Sequence, residues 1–417
     1  MTVTPPEPAR AWFPVLDTLR AVGALAVLTT HVAYGTTAYT VPSGYLGVLL
    51  ARLDVGVALF FVLSGFLLAR PYLASAAEGR PAPATGVYAR RRFLRVVPLA
   101  LLTVVVALVF LEDNRHLSWL DRVAALTLTS SYATPSYPAG ITHFWSLAVE
   151  VVFYVALPAL MVLVVGRRSR RLRADRLVGL LVVGAAVSVL WFGLAVPAVE
   201  AAGAIGSPTT WPFGYALWFA VGIALAGLFE LDRVRRGGWP AVLLRRLARQ
   251  PGVCWAVAGG LLLLMATPIA GPATLAPVTP TAHVIKVVVY AVVAGLVVLT
   301  GVFPSSPRYT TVLTHRAGRR LGIVSYGIFC LHLPVLHLVL WATGWGVFNG
   351  RFTLTWLMTV AVTLVVAELA YRWVEEPAQR LGRRREDRFT APGTPGTPGA
   401  PGSGSGAARP ASAPRRG

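Results

Sequence analysis

Ten apolar stretches recur along the 417 residues, near 12–35, 46–70, 94–111, 143–165, 177–199, 211–229, 252–270, 283–303, 320–341 and 353–371. About 20 apolar residues of helix cross the hydrocarbon core of a bilayer, and a chain with ten such stretches has few folds open to it. In lipid every backbone N–H and C=O must be satisfied internally, which leaves helices or closed barrels. The stretches are rich in Leu, Val and Ala and lack the strict alternation of barrel strands. The expected fold is therefore all-α, a polytopic membrane bundle of about ten transmembrane helices. Charged residues make up 13% of the chain, against about a quarter in soluble domains, which excludes a water-soluble enzyme.

Basic residues set the expected orientation. Lys and Arg outnumber Asp and Glu by 38 to 17, and Lys286 is the single lysine. These bases lie between the apolar stretches rather than on one solvated face, which argues for membrane punctuation and against nucleic-acid binding. Segments before the first stretch, after the second, fourth, sixth and eighth, and after the tenth hold 32 arginines. The opposite set holds Arg52, Arg115, Arg122, Lys286 and Arg351. The positive-inside rule then puts both termini in the cytosol, with the protein in the cell membrane. Residues 1–11 read as a short cytosolic N-terminus, 12–385 as the membrane domain and 386–417 as a disordered Pro/Gly/Ser-rich cytosolic tail, with no second folded domain expected. Cys254 and Cys330 lie in apolar stretches and form neither a disulfide framework nor a metal site; no other grouping has metal spacing.

An ionisable group inside the hydrocarbon costs at least about 2.5–3.5 kcal/mol, so each one is a functional hypothesis. The first stretch carries Asp17, Arg20 and His31. At 100° per residue Arg20 lies about 60° from Asp17, and His31 about 20° from Arg20, so all three share one interior stripe. Asp17 and Arg20 can pair at i,i+3. The bland alternative is an ion pair locking two helices plus an interfacial His. In the fourth stretch His143 and Glu150 share a face; His143 reads as an ordinary interfacial residue, whereas Glu150 is too deep to snorkel and points to His31 as its partner. Ser64 and Gly65 permit close backbone approach. Arg90, Arg91, Arg92 and Arg95 read either as positive-inside punctuation or as a phosphate clamp, since guanidinium forks match phosphate oxygens. His332 lies mid-membrane beside Pro334, whose kink would aim it towards a cavity. Lys286 reads as structural, and Glu368, Arg372 and the YRWVEEP run as intrahelical pairs.

Taken in order, Arg20 followed by ten residues and His31, FFVLSGF at 60–66, Arg92-x-x-Arg95, FWSLAVEVVFY at 144–154 and SYGIFCLHLPV at 325–335 resemble the acyltransferase-3 family of multipass membrane acyltransferases. The resemblance covers about residues 12–380. Relatives carry an acidic residue where this chain has Ala58, and Asp54, one turn earlier, is the nearest acid here. The resemblance implies O-acylation, usually acetylation, of a hydroxyl on a carbohydrate or glycosylated acceptor. It implies acyl-CoA, usually acetyl-CoA, as donor and no permanently bound cofactor. Arg20 and His31 are then essential, with Glu150 beside them, Arg90, Arg91, Arg92 and Arg95 on the coenzyme, and Asp17, Ser64 and His332 in support, all around one polar cavity. Polysaccharide, peptidoglycan, glycolipid and glycosylated metabolite stay open as acceptors. A proton-coupled transporter using the same ionisable groups is the competing class, opposed by the lack of repeat symmetry.

Overall fold

The computed structural model describes residues 13–39, 44–135, 137–166, 172–273, 278–303 and 306–382; the expected N-terminal segment 1–11 and tail 386–417 lie outside them. All regular structure among the described residues is helical. The long helices are α1 (Pro14–Gly35), α2 (Leu46–Glu78), α3 (Thr85–Phe110), α4 (Phe144–Val165), α5 (Ala174–Ala201) and α6 (Pro212–Arg233). After them come α7 (Gly238–Ala248), α8 (Pro251–Met265), α9 (Pro280–Val302), α10 (Ser325–Thr343) and α11 (Phe352–Gly382). Nine of these are long and apolar enough to cross a membrane, or ten if the bent pair α7–α8 counts as one span. The chain is a multipass membrane protein.

Several boundaries depart from the sequence reading, each for a local reason. The second stretch does not stop at Arg70. Helix α2 runs on through Pro71 to Glu78 and ends at Gly79, whose φ of 71° is the left-handed cap that glycine adopts without strain. Arg70 then stays within the bundle, 2.8 Å from Glu230. The seventh stretch is only 15 residues of helix, bent 88° from α7. The ninth divides at Val324 into Arg316–Ile323 and α10, and α10 continues through Pro334 without a break. Helices α5 and α11 each contain a π-turn, at Trp191–Ala195 and Tyr371–Glu375. The YRWVEEP run is not all intrahelical pairing: Arg372 and Arg380 do pair with Glu368 and Glu376, but Glu375 is 1% exposed and both its carboxylate oxygens lack a partner among the described residues.

Helices in lipid gain little from burying apolar surface against one another, so small residues that admit a neighbouring backbone decide where they meet. Helix α2 packs most extensively on α6. There a Cβ on Gly222 would lie 2.1 Å from the Val62 carbonyl oxygen, and one on Gly65 2.5 Å from that of Phe219. The same contact stacks Phe219 on Phe61 at 4.6 Å and on Phe153 of α4 at 4.0 Å, which ties three helices into one column. Gly222→Val forces these backbones apart. Overpacking costs typically about 1–3 kcal/mol, and backbone contact offers less relief than side-chain contact. We expect a lower melting temperature in detergent and a reduced monodisperse yield, read by fluorescence-detected size exclusion.

Candidate functional site

Arg20 and His31 lie on one stripe of α1, about 16 Å apart along the axis, and the structure places them in different cavities. The first cavity, about 70 Å³, is narrow and is lined by Arg20, Ser64, Arg92, Arg95, Glu150 and Tyr154 among others. The second, about 330 Å³, is lined by His31, His143, Asp54, Lys286 and several aromatic rings. Val57, Ser146 and Phe329 line both and form the wall between them. The single polar cavity expected from sequence is thus two chambers meeting across three side chains.

In the arginine chamber Asp17 holds Arg20 at 3.2 Å, as the i,i+3 spacing predicts. The Arg316–Ile323 helix closes on this turn because Gly322 has no Cβ to meet the Asp17 carbonyl, which would lie 2.1 Å away. Glu150 accepts a hydrogen bond from the Ser64 hydroxyl and sits beside Arg92 and Tyr154. Its expected pairing with His31 does not occur. Glu150 is seven residues, about 10 Å, further along α4 than His143, and it is His143 that reaches the level of His31. The four arginines of α3 also divide. Successive helical residues differ by 100°, so Arg92 and Arg95 face the chamber while Arg90 turns away and donates to the Gly382 carbonyl. Arg91 lines an adjoining mouth of about 490 Å³ together with Arg92, Arg70, Arg80 and Arg233. Buried Arg92 Nε has no hydrogen-bond partner among the described residues.

The histidine chamber has a defined tautomer order. His332 Nδ1 is 2.6 Å from the Phe329 carbonyl and 3.1 Å from that of Ile328, so it carries the proton and donates. Its Nε2 lone pair accepts from His31 Nδ1 at 3.2 Å, a proton that His31 also shares with the Val27 carbonyl at 2.8 Å. His31 Nε2 is left as the unprotonated nitrogen, with no hydrogen-bond partner among the described residues. His143, read from sequence as interfacial, is 2% exposed, and its ring centroid lies 4.5 Å from that of His332 and 6.0 Å from that of His31. The signal for it was its shared face with Glu150, which could not point to lipid. Among the described residues no three His, Cys, Asp or Glu side chains are arranged to hold a metal ion.

Sequence comparison adds an independent line. An acyltransferase-domain family profile matches residues 13–372. A peptidoglycan O-acetyltransferase of Listeria monocytogenes is 24% identical over 394 residues, covering 90% of this chain and 57% of that protein. An acyltransferase of Streptomyces mycarofaciens is 30% identical over 414 residues, covering 93% and 96%. Nodulation protein 10 of Rhizobium leguminosarum bv. viciae is 27% identical over 350 residues, covering 78% and 82%. The chain spans little more than half the length of the first two curated relatives it matches. No solved structure matches it. With a family profile matched along most of its length, this chain belongs to the acyltransferase-3 family.

Proposed function

We propose that the chain is a membrane O-acyltransferase that moves an acyl group, in the first instance acetyl, from acyl-CoA to a hydroxyl of a carbohydrate or glycosylated acceptor. The observation that carries this reading is the free Nε2 of His31 in one chamber, across a three-residue wall from a chamber lined by Arg20, Arg92 and Arg95, where Arg92 Nε has no hydrogen-bond partner among the described residues. The arginine mouth suits a donor bearing several phosphates, held by Arg91 and neighbours. The narrow chamber beyond it suits a slim pantetheine arm, with Arg20, Arg92 and Arg95 along its length and the thioester at the Val57, Ser146 and Phe329 wall that faces His31. The charge bias of the loops supports a cytosolic mouth, with the histidine chamber towards the other face. Relatives named for peptidoglycan acetylation support a carbohydrate acceptor.

In this mechanism the acceptor hydroxyl transfers its proton to His31 Nε2 as its oxygen attacks the thioester carbonyl. The new C–O bond forms, the C–S bond breaks, and the leaving thiolate takes up the proton from the imidazolium. His332 holds the His31 ring and its tautomer through the Nδ1–Nε2 contact. Incubating the purified full chain with labelled acetyl-CoA and a panel of glycosides should give acetylated product. Counterflow of solute in sealed vesicles with no acetylation would overturn the reading in favour of transport.

A further inference from the structure

Between the histidine chamber and the rim of the bundle lies a charge pair that the mechanism does not use. Lys286 of α9 reaches Asp54 of α2 at 2.5 Å, and the Tyr290 hydroxyl donates to the other Asp54 oxygen at 2.6 Å and to the Arg52 carbonyl at 3.1 Å. The obvious role is to lock α2 to α9. Comparison with its neighbours argues for more. Glu230, in the Arg70 pair, has no exposed side-chain area, and Arg52 is 4% exposed with its guanidinium spent on the Met265 and Gly271 carbonyls at 2.7 and 2.6 Å. Asp54 and Lys286 keep 35% and 26% of their side-chain surface open and line the same chamber as His31. This pair opens on the cavity that His31 lines.

We infer that the Asp54–Lys286 pair is the subsite that orients the acceptor, taking two adjacent hydroxyls of a pyranose ring while a further hydroxyl meets His31. This rests on the acyl-transfer reading above. A carboxylate has about four lone-pair positions and an ammonium three N–H donors, so each group retains capacity after the contacts already made. Asp54 accepts from one hydroxyl and Lys286 donates to its neighbour. Because the two groups are in contact, their free positions are spaced as vicinal hydroxyls are. Tyr34, Tyr39 and Trp145 line the same space and offer apolar faces to the sugar ring.

The test is binding, read separately from catalysis. Saturation-transfer NMR on the full chain in nanodiscs uses methyl β-glucopyranoside and its monodeoxy counterparts. A hydrogen bond to a charged group is worth about 1.5–3 kcal/mol, so at least one monodeoxy probe should bind roughly 10- to 150-fold more weakly than the parent. Asp54→Asn and Lys286→Gln should each erase the loss at one of the two neighbouring positions, a different one in each variant. In acetyl-transfer kinetics they should raise the acceptor KM while the donor KM moves less than twofold. Equal binding of all probes by the unaltered protein, or a folded variant that keeps every loss seen with the unaltered protein, overturns the subsite. The unaltered protein alone gives the first outcome, so the test survives a variant that misfolds. Absence of acetyl transfer with intact probe discrimination would instead count against the acyl-transfer reading.

Discussion

Replacing His31 by alanine is expected to lower acetyl transfer by about a hundred- to ten-thousand-fold, the span attributed to a positioned general base. The tautomer order leaves its Nε2 with a free lone pair, and its ring borders open space. Loss of the base should lower kcat, with the donor KM little changed because the arginine chamber is untouched. His332→Ala should act through His31. His332→Ala removes one of two acceptors of the Nδ1 proton and leaves the Val27 carbonyl, so the loss should be that of one hydrogen bond, about 0.5–1.5 kcal/mol or roughly 2- to 13-fold, without altering either KM. Steady-state kinetics with each substrate varied separately check both. An His332→Ala loss equal to that of His31→Ala would mean that the two rings act as equal partners.

Arg92→Ala is expected to give the second large loss, and to place it on the donor. Arg92 lines both the mouth and the narrow chamber, near the half-buried Glu150, so its removal takes a phosphate ligand from the donor. Losing a hydrogen bond to a charged phosphate costs about 1.5–3 kcal/mol, roughly 10- to 150-fold in kcat/KM for the donor. Lysine should restore only part of this, since an ammonium lacks the planar fork. Arg90→Ala is the internal contrast. Its guanidinium is committed to the Gly382 carbonyl, so the change should leave the donor KM within about fivefold, the scale of a single hydrogen bond of about 0.5–1 kcal/mol. Titration of acetyl-CoA against each variant measures these differences directly.

Much of the architecture was legible because the bilayer enforces a simple code. Apolar length gave the spans, and the α1 stripe followed from helical periodicity alone; Asp17 and Arg20 meet as their spacing requires. What escaped depends on contacts between residues far apart in the chain. His31 meets His332 across 301 positions, and no periodicity in either helix announces it. Glu150 was aimed at His31 on the assumption of one cavity. Phe329 and Val57 divide the space, and Ser64 on α2 supplies the hydrogen bond instead. Arg52 was counted among surface bases, but its two backbone acceptors come from a turn more than 200 residues away, so its burial was not visible locally. The second span also runs past its apolar stretch, through Pro71 to Glu78, where Arg70 meets Glu230 some 160 positions away.

The brevity of α8 shapes the ground on which a substrate would arrive. Its 15 residues rise roughly 22 Å, whereas the 23 residues of its neighbour α9 rise roughly 34 Å. The turn that follows α8, carrying Ala270 and Pro272, is one lip of the histidine chamber and is anchored by Arg52. Local thinning of the bilayer beside so low a wall would bring the headgroup layer towards the lip. A polymer strand lying along the membrane surface can then dip one residue into that notch, its remaining length still bathed in water.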